Sequence, residues 1–305
     1  MIIDPSLYGV SFSVKQCRQF QIDMGRTLRW LVNVAGFRRF RLMTYWDEHE
    51  PRRGQTNFAL LDQQIAIIER AGGVITLCLG VRQPRWPENH WPEWAWQLPK
   101  AERDKALLNY IQLVVERCRD RTTIISYQLE NEALLTNFGR RPATDRKRLR
   151  AEYQLISELD PSRPIIMTTS TSWGIPLRRP IPAIVGFSYY RTFWENRSHR
   201  YKKAGGHYML LHRLRALLIR TLWHRPSFIH ELQLEPWGPK NIWEMTIEEQ
   251  NESMSPLRMQ QGLRLARRTK LYPIDTWGGE WWYYRTVVMH DPSLWHVAKQ
   301  EFTKS

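Results

Sequence analysis

The sequence predicts an α/β protein with the architecture of a (β/α)8 TIM barrel, folded as a single domain over residues 1–305. Eight short β-branched or aromatic runs recur along the chain, and helical periodicity separates most of them, which is the pattern of parallel strands joined by helices. Eight such units match a closed barrel. A doubly wound open sheet is the alternative, but no Gly-rich phosphate loop in the sequence supports a nucleotide site.

The predicted strands follow one another at intervals that leave room for helices. They cover residues 7–13, 37–43, 72–80, 122–130, 163–169, 184–190, 226–231 and 272–278. The fifth and sixth strands start only about 20 residues apart, so we expect the helix between them to be short or absent.

Apolar residues spaced three and four apart predict the helices of the barrel. This spacing occurs in residues 24–31, 107–118, 149–156, 210–218 and 294–302. Gly36 follows the first of these segments and is a typical helix stop signal.

The composition is that of an ordinary globular protein and excludes several classes. The chain is 42% hydrophobic and 25% charged, with a mean hydropathy of −0.53, which excludes disorder, collagen and coiled coil. No run approaches the ~18 apolar residues that a membrane span needs. The N-terminus lacks the basic head and apolar stretch of a signal peptide. We therefore expect a cytoplasmic protein, or an extracellular or envelope protein from which an export signal has been removed.

The net charge of +15 suggests a polyanionic partner, such as an anionic lipid surface or an acidic polymer, although the Lys and Arg residues are scattered. We expect no nucleic-acid partner. The basic amphipathic segment 202–225 is interpreted as a barrel helix that packs its Leu face on the sheet and shows Arg to solvent. A membrane-surface or polyanion-binding role for this segment is the alternative.

Metal and disulfide chemistry are not expected. Cys17, Cys78 and Cys118 are too few and too far apart for a disulfide framework or a CxxC metal site. No His or Cys spacing indicates a metal, and we predict that the protein needs no cofactor.

In a barrel of this kind, functional residues gather where the strands end. Glu132, directly preceded by Asn131, follows the fourth strand, and Glu231 ends the seventh. Either glutamate alone would be interpreted as a solvated carboxylate in a loop. Together they face each other across the barrel mouth, and two facing carboxyl groups are what glycoside hydrolysis needs. Arg41, at the end of the second strand, could keep one of them ionised through a charged hydrogen bond.

Tryptophan is abundant, with 15 residues, and many of them fall in the loops that follow strands. Sugars present flat C–H faces that stack on indole rings, so some of these side chains are candidates for sugar platforms. Others are expected to cover the hydrophobic core.

Several motifs in the sequence resemble those of a known group of enzymes. The string QLENE at 128–132 is similar to a Gln-x-Glu-Asn-Glu pattern of some β-galactosidases. Residues 46–62, with Glu50-Pro51, resemble a signature that follows the second strand in the same clan. PRWPENHWPEW and ELQLEPWG resemble a compact group of cellulase-like bacterial proteins. Residues 9–282 thus resemble the clan A retaining glycoside hydrolases, except that Ala133 replaces a proline that many members have.

The resemblance implies a role for each matching residue. Glu132 would be the general acid/base and Glu231 the nucleophile, with Glu235 as a less favoured candidate for the second role. Asn131 would bind the 2-hydroxyl of the sugar in the −1 subsite, the site of the sugar whose bond is cleaved. The further substrate-binding candidates are Arg41, Trp46, His90, Tyr189, Tyr190, Trp237, Trp277, Glu280 and Trp282.

Some of these candidates have more specific implied roles. Arg41 and either Tyr190 or its neighbour Tyr189 would hydrogen-bond the nucleophile. Trp277 would be the platform under the −1 sugar, and His90 would line the pocket. Glu280 is interpreted as either a substrate-binding or a structural residue.

The sequence therefore predicts a retaining β-glycoside hydrolase that acts on a β-linked oligo- or polysaccharide. One alternative is a non-catalytic carbohydrate-binding barrel, and the other is a basic peripheral membrane or polyanion-binding protein. The positive charge is also compatible with catalysis on an acidic polysaccharide or at the cell envelope. The sugar configuration is not encoded in these spacings.

Overall fold

The centre of the molecule is a closed barrel of eight parallel strands. The computed structural model describes residues 1–133, 135, 139, 145–171, 174–175, 178–196 and 198–304. The strands in chain order are β1 Tyr8–Phe12, β2 Arg39–Met43, β3 Val74–Leu79, β4 Ile124–Leu129, β5 Ile165–Thr169, β6 Ile184–Tyr189, β7 Thr192–Glu195, β8 Arg200–Lys203, β9 Ser227–Gln233 and β10 Ile274–Trp277. The barrel contains all of these except β7 and β8.

Chain order and spatial order agree around the barrel. Each strand pairs in parallel with the next, β6 pairs with β9, and β10 closes the ring against β1. The eight predicted strands and the (β/α)8 fold are confirmed. Almost every strand residue is buried because helices cover the outer face of the sheet. The unpredicted element is an antiparallel hairpin, β7–β8, that directly follows β6.

Helices surround the barrel. They are α1 Val14–Gln19, α2 Met24–Trp30, α3 Trp46–His49, α4 Ala59–Arg70, α5 Glu93–Trp96, α6 Lys100–Cys118, α7 Arg146–Leu159, α8 His207–Trp223, α9 Ile247–Ser253, α10 Pro256–Thr269, α11 Gly279–Tyr283 and α12 Ser293–Phe302. Each segment predicted to be helical from its apolar spacing lies in one of them. The first continues as a π-helical turn, Leu31–Ala35, and stops at Gly36, whose φ of 88° is left-handed.

The connection from β5 to β6 departs from the regular βα alternation. Among its described residues, 170–171, 174–175 and 178–183, none is helical. This agrees with the expectation from the short strand spacing.

Helix α8 is oriented differently from the prediction. His212, Arg215 and Ile219 are its buried residues. Four of its leucines are between 48% and 60% exposed: Leu210, Leu214, Leu217 and Leu222. The expectation that the Leu face packs on the sheet was wrong, because polar side chains of α8 find their partners inside. Arg215 donates to the Gly174 and Ser170 carbonyl oxygens and to Thr169 Oγ1.

Two further properties bear on the predictions. Cys17, Cys78 and Cys118 are buried free thiols. Within the described part of the chain, no helix combines the length and the apolar character needed to cross a membrane.

Candidate active site

Glu231 lies near the carboxyl end of β9 and is held by two groups from neighbouring strands. Arg41, on β2, donates from Nη2 to Glu231 Oε1 at 2.5 Å, and Tyr190, just after β6, donates its hydroxyl to Oε2 at 2.9 Å. Burial favours the neutral acid, but the Arg41 guanidinium outweighs it and holds the pKa of Glu231 below its ordinary value. Glu231 is therefore a fixed, ionised carboxylate.

Glu132 lies just beyond β4 in a different environment. Its backbone is left-handed, with φ at 44°, and its N–H donates to Thr168 Oγ1 at 2.8 Å. Ser188 donates to its carboxyl Oε1 at 2.5 Å. Burial raises the pKa of Glu132, the charge of Glu231 raises it further, and the Ser188 hydroxyl lowers it in part, so that it lies at about 7. Below about pH 7, Glu132 therefore holds a proton while Glu231 is ionised.

The loop that carries Glu132 is fixed by the preceding carboxylate, Glu130. This side chain is buried and accepts hydrogen bonds from the backbone N–H groups of Val81 and Arg82 at 3.1 and 2.6 Å. Arg148 of α7 also donates to it at 3.2 Å. The first glutamate of the QLENE string is thus a structural clamp between the β3 and β4 loops, and it positions the second.

Asn131 is oriented by three side chains. Its Oδ1 accepts from Gln128 Nε2 at 3.3 Å and from Thr168 Oγ1 at 3.4 Å. Its Nδ2 donates to Glu88 Oε2 at 3.2 Å. An amide nitrogen carries two hydrogens, and among the described residues Glu88 accepts one of them, so the second can meet a ligand.

Glu88 is a third buried carboxyl group near the pair, and the sequence reasoning missed it. Burial is the main cause that raises its pKa, to about 8; Arg82 opposes the shift, and the charges of Glu231 and Glu132 add to it. Its φ of 69° places it on a tight left-handed turn in the β3 loop. The string PRWPENHWPEW drew attention to this loop, but nothing in the string shows which of its polar side chains turns inward.

Trp277 lies at the end of β10 under an ion cluster. The Arg85 guanidinium lies 3.9 Å from its ring centroid. Arg85 donates to both carboxylate oxygens of Glu235, at 2.5 and 3.0 Å, and to Glu280 Oε2 at 3.2 Å. Glu280 also accepts from the Ser13 N–H. Glu235 and Glu280 are thus engaged with Arg85, and Arg85 covers the indole predicted as a sugar platform.

The structure distinguishes the two neighbouring tyrosines. Tyr190 contacts Glu231, whereas Tyr189 is buried and packs edge-on against His212 of α8. Trp237 packs against Tyr190 with ring centroids 5.3 Å apart, so it lies beside the pair. His90 is fully buried, with Nε2 3.2 Å from the Gln83 carbonyl and its ring against Tyr45.

Two predicted substrate contacts lie in the hydrophobic core. Trp46, at the start of α3, stacks on Tyr110 and donates from Nε1 to Glu50 at 2.7 Å. Trp282, in α11, donates to the Leu234 carbonyl at 2.8 Å and stacks on Phe37. Both are fully buried, and the structure does not bring either one into the site. Their rings face inward because short helices directly after β2 and β10 cover the barrel.

The arrangement provides a fixed carboxylate and a protonated carboxylic acid at the mouth of one barrel. Such a pair can combine nucleophilic or base chemistry with general acid chemistry. Among the described residues, no group of three or more His, Cys, Asp and Glu side chains is placed to hold a metal ion.

Among the comparisons with known proteins, only the comparison of structures found matches, and it supports the fold. No family model matches the sequence, and no curated protein matches it. Solved structures do match, among them a GH5_18 protein from Streptomyces cattleya in complex with GlcNAc, with a TM-score of 0.64 and 12% identity over 99% of this chain and 82% of that one.

Two others extend the comparison. A GH5_18 variant from Bifidobacterium longum in complex with Manβ1-4GlcNAc has a TM-score of 0.61 and 11% identity over 89% of this chain and 68% of that one. A β-galactosidase from the haloarchaeon Halorubrum lacusprofundi has a TM-score of 0.58 and 14% identity over 89% of this chain. The chain spans about half of that galactosidase, 52% of its length. At these identities the likeness demonstrates the barrel.

Proposed function

We propose that this protein is a retaining β-glycoside hydrolase that acts on β-linked oligo- or polysaccharides, with Glu231 as nucleophile and Glu132 as general acid/base. One observation carries the proposal: two glutamates at the mouth, Glu231 buried and Glu132 half-buried, have pKa values displaced in opposite directions. Double displacement needs one carboxyl group ionised and the other protonated in the same free enzyme.

In the first step, a Glu231 oxygen attacks the anomeric carbon while the Glu132 proton moves to the glycosidic oxygen. The bond to the leaving alcohol breaks, and the sugar becomes an ester of Glu231. Arg41 and Tyr190 hold the attacking carboxylate in one orientation, so little reorganisation accompanies the step.

In the second step, Glu132, now ionised, removes a proton from water as that water attacks the anomeric carbon. The ester bond to Glu231 breaks, which restores both carboxyl groups. Esterification removes the negative charge of Glu231, and that charge is one of the causes that raise the pKa of Glu132. The pKa of Glu132 therefore falls when the residue changes from acid to base.

We assign the remaining contacts by their positions. Asn131 Nδ2, which donates to Glu88 in the described part of the chain, would donate its second hydrogen to a sugar 2-hydroxyl. Trp277 with the overlying Arg85 would form a floor that combines an aromatic ring with hydrogen-bond donors, and Trp237 beside Tyr190 would form a wall. His90 remains a candidate for the pocket lining. The structural neighbours named as β-galactosidase and GH5_18, and the sugars bound to the latter, support a carbohydrate substrate.

The test is turnover of aryl β-glycosides in the gluco, galacto, manno, xylo and cellobioside series, together with Manβ1-4GlcNAc. Wild type is compared with Glu231→Ala and Glu132→Ala, each checked for folding by circular dichroism. We expect at least one substrate to be cleaved by wild type and the rate to fall by several orders of magnitude in both variants. Equal rates in all three proteins would refute the assignment. Glycan binding by calorimetry without product from any substrate would favour the non-catalytic barrel instead.

A further inference from the structure

Helix α8 exposes an apolar stripe on the outside of the barrel. Leu210, Leu214 and Leu217 are spaced by four and three residues, so they lie on one face of the helix. Each is about half exposed or more, as is Leu222 near the helix end. Single exposed leucines are ordinary, but a contiguous row of them marks a surface that meets an apolar partner. We call Leu210, Leu214 and Leu217 the leucine stripe.

The outward direction of the leucine stripe is fixed by the opposite face of α8. Arg215 and His212 are fully buried there and bind backbone carbonyl oxygens, including Ser188 O at 3.0 Å from His212 Nε2. The Arg215 guanidinium also lies 4.3 Å from the Phe187 ring centroid. Rotating α8 to bury its leucines would break these contacts and leave the carbonyl oxygens without their hydrogen bonds. The outward direction of the stripe is therefore a stable feature of the fold.

The charge along this segment of the chain has one sign. Residues 196–230 contain eight Lys or Arg and no Asp or Glu, in a chain whose net charge is +15. Arg213 and Arg220 of α8 are exposed, as are Lys203 before the helix and Arg225 after it. An apolar row bordered by cations is the pattern of a helix that lies in the interface of an anionic membrane.

A basic groove adjoins the C-terminal end of α8, where the irregular β5–β6 connection leaves space next to α7. It is lined by Arg150, Arg179 and Arg225 together with Trp223 and Tyr153. No carboxylate is among the described residues that line it. Guanidinium groups beside aromatic rings suit phosphate headgroups at the level where a membrane meets water.

We propose that the leucine stripe and the adjoining basic groove form a peripheral docking surface for an anionic phospholipid membrane. The leucines insert among the acyl chains near the headgroups, and the arginines bind lipid phosphates. Helix α8 lies along the flank of the barrel, and the groove lies at the end where the strands begin. The mouth with Glu132 and Glu231 is at the other end and stays open, so this inference does not depend on the proposed activity.

The experiment is co-sedimentation of the full chain with vesicles of phosphatidylglycerol and phosphatidylcholine, compared with vesicles of phosphatidylcholine alone. The test variant is Leu210→Gln/Leu214→Gln/Leu217→Gln. Its matched control is Leu60→Gln/Leu113→Gln/Leu257→Gln, which replaces three exposed leucines on α4, α6 and α10. Thermal unfolding of each variant verifies that it folds.

We expect wild type and the control to bind the anionic vesicles and to bind neutral ones weakly. The test variant should lose on the order of tenfold or more in affinity, because three inserted side chains no longer contribute apolar transfer energy. Arg150→Gln/Arg179→Gln/Arg225→Gln should retain the stripe but lose much of the preference for anionic lipid. Absence of wild-type binding, or equal loss in test and control variants, would overturn the proposal. So would a dimer in sedimentation velocity that only the stripe variant dissociates, since a second copy would then cover the stripe.

Discussion

The carboxyl ends of β9 and β4 present the same side chain in two different settings. Glu231 lies within a strand, between an arginine and a tyrosine that both stabilise its charge. Glu132 lies on a left-handed turn, accepts a hydrogen bond from the Ser188 hydroxyl and faces the charge of the other glutamate. Burial acts on both in the same direction, so the cation of Arg41 decides the difference. Two residues of one type thus acquire opposite protonation states, and Arg41 is the neighbour that contributes most to the difference.

The largest effect should come from removing the carboxylate of β9. Glu231→Ala should reduce turnover of an activated aryl glycoside by at least about 10⁴-fold, because no nucleophile remains. Added azide should restore part of the rate and give a glycosyl azide of inverted configuration, because it attacks once from the vacated side.

Glu235→Gln is the control for this variant, since Glu235 is a carboxylate near the same strand end that binds Arg85. It should give no azide product. Azide rescue in Glu235→Gln but not in Glu231→Ala would exchange the two assignments.

Removing the acid at the end of β4 should produce a loss that depends on the leaving group. Glu132→Gln should slow a substrate with a poor leaving group by roughly 10²- to 10⁴-fold and a dinitrophenyl glycoside far less. Wild-type kcat/KM should fall as pH rises through about 7, where Glu132 loses its proton. The variant should lack this alkaline decline. Here azide should attack the glycosyl-enzyme and give product of retained configuration, in contrast to Glu231→Ala.

Arg41→Lys tests the neighbour that creates the asymmetry. It keeps the charge but loses the planar guanidinium, so we expect kcat/KM to drop by up to roughly 100-fold and the acid side of the pH profile to move to higher pH. Arg39→Lys is the matched control, because Arg39 lies two residues earlier on β2 and pairs with Asp275. It should leave the pH profile unchanged. An identical pH shift in both variants would mean that Arg41 has no special relation to Glu231.

The smallest effect should come from Ser188→Ala. The Ser188 hydroxyl lowers the pKa of Glu132, so its removal should move the alkaline limb to higher pH, by an amount on the order of one pH unit. Thr171→Ala provides the control, because the Thr171 hydroxyl bonds the Ser188 carbonyl and the Tyr190 N–H but not Glu132. A shift to lower pH in Ser188→Ala would contradict the assigned hydrogen bond.

The barrel was predictable because buried β-branched runs and three-four spacing are local signals, and both are strong here. The positions of Glu132 and Glu231 followed from one rule, that barrel sites lie at strand ends. The same rule could not choose between Tyr189 and Tyr190. Adjacent residues of a strand point to opposite sides, so the exact end of β6 decides which tyrosine contacts Glu231.

Other features depend on contacts between distant segments and have no local signal. Glu88 and Arg85 reach the mouth through left-handed residues in the β3 loop. Trp46 and Trp282 follow strands as a platform residue would, yet the short helices after those strands turn them into the core. For α8, the leucine spacing predicts an apolar helix face but does not show whether that face points into the barrel or to solvent. The orientation of α8 is set by the carbonyl oxygens that accept from Arg215, and these lie some 40 residues away in the chain.

The cluster of Arg85, Glu235 and Glu280 also has a consequence for how the molecule assembles. Arg85 joins residues 150 and 195 positions away in the chain, and Glu280 reaches Ser13 across 267. The Glu280–Ser13 contact, which completes the cluster, forms only once the first and last strands, β1 and β10, have met. The barrel mouth is therefore completed late in folding, because contacts between residues far apart in the chain form slowly. A ligand that binds there binds only the closed ring, and it should stabilise the junction of the chain's two ends.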